Sequence, residues 1–207
     1  TSIEAVNGLA DAAIEKINGL EFTGVTDAHT LIATATASAS ATLSFTSGID
    51  STYDAYEFRF DNMHPATDQV NFSFQVNAAG ASGFNETITS TAFQAYHAED
   101  NSGAALVYRA DDDQAQGTAY QNILSRLVGN AADEPVSGIL TLYAPSSTTY
   151  VKHFTAVGNG AYFENYSLSL HTAGYINTTS AIDEISFKMS SGNIDAGEIK
   201  MYGIAKA

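Results

Sequence analysis

Tyr56-Glu57-Phe58-Arg59-Phe60-Asp61 and Asn71-Phe72-Ser73-Phe74-Gln75-Val76 alternate apolar and polar side chains residue by residue. A period of two is the mark of a strand with one face on a core and the other in water. The alternation returns at Leu140 and Leu142, at Tyr166, Leu168 and Leu170, and at Ile185, Phe187 and Met189. Between these runs stand turn-formers: Asp61-Asn62, Gly80 to Gly83, Asn101 to Gly103, Gly129-Asn130, Pro145-Ser146, Gly158 to Gly160 and Ser190 to Asn193. Short alternating runs with such punctuation predict an antiparallel β-sandwich or jelly roll of about eight strands over 45–207. Phe58, Phe60, Phe72, Phe74, Leu140, Leu142, Leu168, Ile185 and Phe187 are its expected core. Tyr120 to Val128 departs from the alternation and is read as a helical turn.

Composition points the same way and excludes several functions. Of the 207 residues 23 are acidic and 8 basic, a formal charge of −15. Nucleic-acid binding by phosphate neutralisation needs Lys and Arg, and adhesion to anionic lipid needs them too, so neither partner is expected. No apolar run reaches the 18 or more residues of a spanning helix. The first twenty residues carry neither a basic start nor a continuous apolar stretch, so no secretory signal is expected there. The absence of cysteine removes disulfides, thiol catalysis and thiolate-bound zinc.

Residues 1–24 stand apart as an arm. Ile3-Glu4-Ala5-Val6-Asn7-Gly8-Leu9 recurs as Ile14-Glu15-Lys16-Ile17-Asn18-Gly19-Leu20, eleven residues on. Ile3, Val6, Ile14 and Ile17 fall at spacings that suit one face of a helix, and Leu20 closes the second copy. The spacing favours a short helix; the alternative is two extended segments, each turning at Asn-Gly. Either form leaves an apolar stripe too small to make a core, so the arm is expected to assemble against other chains. Residues 25–44, with their small-residue run Ala33–Thr42, read as a connector feeding the first strand, the alternative for the run being a packed strand in a crowded place.

Motifs with catalytic mechanics are not found. The five histidines are scattered, none at the spacing of a zinc helix. Asp111, Asp112 and Asp113 are the best cation candidates, but a calcium loop begun at Asp111 puts Gln116 at the glycine position and Asn122 at the terminal acid. The triplet is read as a solvated acidic loop. No enzyme activity, cofactor or metal is expected. Tyr143, Tyr150 and Tyr162 are candidate glycan contacts, since exposed aromatic rings stack on sugars.

Three stretches together carry a resemblance. Tyr53–Asp68 (YDAYEFRFDNMHPATD) leads into the strand NFSFQV at Asn71–Val76. Gly129–Ser147 (GNAADEPVSGILTLYAPSS) steps through Val-Ser-Gly into a strand ending at Pro145. Ser190–Ala205 (SSGNIDAGEIKMYGIA) is a hairpin with a closing Tyr-Gly-Ile strand. Their order resembles a β-sandwich domain of tailed-bacteriophage structural proteins, notably tail fibres and other virion appendages, and the arm is similar to their repeated I-x-x-V-N-G segments. The resemblance implies a virion structural protein on the tail or capsid exterior, with other virion proteins as partners and a homo-oligomer, most naturally a trimer. A head decoration protein and a receptor- or glycan-binding module are the alternatives.

Overall fold

The computed structural model describes residues 28–162 and 165–205, and of the arm the backbone of four short strands. Ala5–Val6 (β1) pairs antiparallel with Leu9–Ala10 (β2), and Lys16–Ile17 (β3) with Leu20–Glu21 (β4). Ile3 and Ile14 lie outside the described residues; Val6, Ile17 and Leu20 are described by backbone alone. The strands correct the helical expectation. Val6 faces Leu9 and Ile17 faces Leu20, so each pair brackets one Asn-Gly in the sequence. Asn-Gly is the strongest short hairpin signal. A helix would carry glycine inside it at about 1 kcal/mol relative to Ala, and a short lone helix does not repay its nucleation.

Twelve further strands follow: β5 (His29–Thr36), β6 (Leu43–Phe45), β7 (Ala55–Pro65), β8 (Val70–Ala78), β9 (Ile88–Ala98), β10 (Ala104–Tyr108), β11 (Gln121–Val128), β12 (Val136–Tyr143), β13 (Lys152–Tyr162), β14 (Tyr166–Ile176), β15 (Ile182–Met189) and β16 (Ile194–Ile204). One antiparallel sheet runs β5-β16-β7-β12-β13-β14-β9-β10, and the other runs β11-β8-β15-β6. A single backbone bridge, Val128 to Tyr162, joins the two at a corner. The sheets pack face to face as a β-sandwich. The stretch expected as a connector therefore supplies an edge strand, β5, paired along β16.

All nine residues expected in the core are buried. Phe187 lies near its centre, with ring centroids 5.6 Å from Phe58 and 6.0 Å from Phe72. Phe60 meets Phe72 across the sheets at 5.3 Å, and Phe74 meets Phe154 at 5.0 Å. Phe187 and Phe72 lie near-parallel, 16° apart, while the other three pairs are tilted or edge-on, and all suit the ring quadrupole.

The structure holds more strands than the alternation announced. β10 is Ala-Ala-Leu-Val-Tyr, which has no polar positions to show a period. β11 overturns the helical turn read at Tyr120–Val128. Its pairing with β8 shifts register between Asn122 and Leu124 and again before Val128. These irregularities bury Ile123 and its neighbour Leu124 together, which disguises a strand as a non-alternating run. Asp61-Asn62 is also no chain reversal. β7 continues through it with Asn62 at φ 52°, where the pairing with β16 shifts around Gly197 at φ 113°. A Cβ on Gly197 would lie 2.6 Å from the Asn62 carbonyl oxygen, so both the angle and the space require glycine.

β8 is covered on both faces. Ser73, Gln75 and Asn77, read as a solvent face, are buried under the 79–87 and 111–120 loops. Gln75 Nε2 donates to the carbonyls of Glu86, Thr118 and Ala119 at 3.0–3.2 Å, which satisfies the amide in place of water.

Candidate interaction surface

The outward face of the larger sheet is the most distinctive surface of the molecule. Register carries one row straight across five strands: Ile139 on β12, Val157 on β13, His171 on β14, Phe93 on β9 and Tyr108 on β10. Phe93 stacks on the His171 imidazole, with centroids 4.9 Å apart and planes 5° from parallel. Ile139, Val157, Phe93 and Tyr108 are each 40–59% exposed. Rows of Thr, Ser, Asn and Ala lie on either side, including Thr141, Thr155, Asn159 and Ser169.

No Asp, Glu, Lys or Arg faces outward on these five strands among the described residues. The charges of this sheet gather instead at its β7–β16 end. There Arg59 Nε is 2.5 Å from Glu57 Oε1, and its guanidinium lies 5.1 Å from the Tyr202 ring centroid. Lys200 pairs with Glu198 and lies 3.8 Å from Asp61 Oδ2. On a chain of charge −15, a sheet face without acidic or basic side chains and bearing exposed rings is a place where another surface approaches without like-charge repulsion.

The expected glycan trio does not converge. Tyr143 is 42% and Tyr150 72% exposed, at the end of the sheet where β12 ends and β13 begins. The Tyr143 hydroxyl lies 3.1 Å from Thr155 Oγ1. The Tyr162 side chain lies outside the described residues, but its backbone is at the far end of β13. Leu142 pairs with Phe154, eight residues before Tyr162, which at about 3.3 Å per residue is roughly 26 Å of strand.

The acidic triplet is corrected in its middle member. Asp112 is 2% exposed, not solvated. Arg109 Nε lies 3.2 Å from its Oδ2, Ser125 Oγ donates to the same oxygen at 2.5 Å, and Asn122 Nδ2 donates to Oδ1 at 3.0 Å. Its backbone carbonyl accepts from Gln121 Nε2 at 2.7 Å. The carboxylate thus pins the loop after β10 onto β11, where the sheets meet. No group of three potential metal ligands occurs among the described residues.

Lys152 escaped the sequence reading altogether. It is fully buried, with Nζ donating to the carbonyls of Tyr150 at 2.8 Å and Thr178 at 3.1 Å. Burial lowers its pKa from the ordinary lysine value. Its position two residues before Phe154 and four before Ala156 places it on the inward side of β13, a signal available in the period alone.

Comparison with protein-family models, with curated proteins and with solved structures finds no match.

Proposed function

We propose that this chain is a non-catalytic structural subunit of a tailed-phage virion, a tail-fibre or appendage protein whose arm attaches and oligomerises it while the sandwich is displayed outward. The observation that carries the reading is the arm. Among the described residues its strands pair with one another, as two two-stranded sheets repeated at the eleven-residue interval of the sequence. An isolated two-stranded hairpin is marginal in water, so a repeated pair of them gains stability by packing against a partner. The motif resemblance supplies the virion context. The neutral sheet face supports contact with neighbouring subunits, and the acidic remainder suits a soluble particle exterior.

Deleting residues 1–24 tests the reading. The β-rich spectrum and cooperative melting should persist, while incorporation into particles is lost and the oligomer's mass falls in light scattering. Normal incorporation of the truncated chain would refute the arm's role. Immunogold labelling of particles separates a tail site from head decoration. A glycan-binding reading is favoured by Tyr143 and Tyr150, exposed at one end of the sheet. A glycan array with Tyr150→Ala as the control tests it.

A further inference from the structure

We infer that the cleft on the outer face of the smaller sheet, between Lys188 and the 111–120 loop, is a binding site for a neutral sugar. Register carries Lys188 of β15, Ser73 of β8 and Asn122 of β11 into one row across that face. The loop rises beside the row with Asp111, Asp113 and Tyr120, and together they bound a cleft of about 360 Å³. Ligand pockets span about 300–1,000 Å³, so this one has room for a short saccharide and little more.

Lys188 is the group that points to an occupant. Its Nζ lies 4.0 Å from the Tyr120 ring centroid, a cation–π contact. Arg59, Arg109 and Lys200 each pair with a carboxylate, whereas Lys188 has no acidic partner among the described residues. An ammonium carries three donors, and the ring face occupies only one direction. Asn122 Nδ2 is spent on Asp112, while its Oδ1 accepts from no described residue. The row thus holds an uncommitted donor and an uncommitted acceptor, with an aromatic wall between loop and strand.

Charge selects the class of ligand. An anion would meet Asp111, Asp113 and the field of a chain at −15. A cation would meet Lys188, and the acids are already engaged: Asp112 with Arg109, Asp113 with the Tyr108 hydroxyl and Asp111 with a partner of its own. An amino acid fits no better, because its ammonium needs a carboxylate that is not otherwise taken. A sugar hydroxyl carries no charge and both donates and accepts. It can donate to Asn122 Oδ1 or to a spare lone pair of Asp113 while a neighbouring oxygen accepts from Lys188 Nζ. The C–H face of the sugar ring has Tyr120 to pack on. The cleft lies on the other sheet from Tyr143 and Tyr150, and the inference does not rest on the virion reading.

Heteronuclear NMR of the full-length protein tests this, with the methyl glycosides of glucose, galactose and N-acetylglucosamine as probes at millimolar concentration. At least one should move the amides of Ser73, Tyr120, Asn122 and Lys188 in a saturable way and leave those of Tyr143 and Tyr150 in place. Lys188→Met should weaken that binding about tenfold or more, the usual worth of one bond to a charged group. Lys188→Arg keeps a donor and the ring contact and should retain most of it, and Tyr150→Ala should change nothing. Should Lys188→Met not fold, the wild-type shift map and Lys188→Arg decide. No saturable shift at the cleft with any of the three glycosides overturns the inference, as does undiminished binding by a folded Lys188→Met. Tighter binding of glucuronate or of glycine than of methyl glucoside overturns it too, since the site would then be one for an acid or a zwitterion. Shifts at Tyr143 and Tyr150 in place of the cleft would move sugar binding to the other sheet and equally refute it.

Discussion

Replacing Asp112 by Asn separates a buried carboxylate from a solvated one. The two side chains are nearly isosteric, so no cavity forms. Asn keeps an acceptor for Asn122 Nδ2 but turns an amide toward Arg109 Nε and Ser125 Oγ. The serine hydroxyl can rotate and accept; the guanidinium cannot, because it has no acceptor. The loss is then chiefly one charge-assisted bond, about 1.5–3 kcal/mol by the usual net value for bonds to charged groups. It falls short of the roughly 3–5 kcal/mol for breaking a fully buried pair, because the Arg109 side chain is 24% exposed and water screens part of the contact. For a chain of this size each 1 kcal/mol is worth about 2–4 °C in Tm. Urea unfolding and calorimetry of the Asn variant should therefore show a clear loss at unchanged m. A double-mutant cycle with Arg109→Met should return most of that loss as coupling. A change within about 0.5 kcal/mol, the range of ordinary surface substitutions, would refute the pin and restore a solvated loop.

Phe74→Ala should cost about 3–5 kcal/mol, as truncation of a buried Phe does, since the ring packs on Phe154 of the opposite sheet; denaturant unfolding that finds less than 1 kcal/mol would contradict the core assignment. Lys152 gives a pH dependence with a definite sign. Because burial lowers its folded pKa below the ordinary 10.5, the unfolded chain binds more protons between those two values. Stability relative to Lys152→Met should thus rise with pH through that window, the cost of burying the charge being complete below it. Paired unfolding curves from neutral pH to 10.5 test this, and a flat or falling difference would count against it.

The alternation at Phe58, Phe60, Phe72, Phe74 and Phe187 was legible because it is a local property: adjacent side chains on a strand point to opposite faces whatever lies beyond. The same locality made Asn7-Gly8 and Asn18-Gly19 visible as turn signals, although a helical spacing competed for the same residues. Other features required contacts distant in sequence. β16 lies between β5 and β7, and nothing within Ile194–Ile204 names those neighbours. Ser73 and Gln75 look like a wet face until loops some 40 residues onward close over them. Asp112 looks solvated until Asn122 and Ser125 return beside it, and the bulges of β11 conceal the strand that brings them. The neutral row from Ile139 to Tyr108 is the clearest case, because each of its members is unremarkable on its own strand. Period tells which way a side chain points; only register, set by packing and hydrogen bonding between strands, decides what stands beside it.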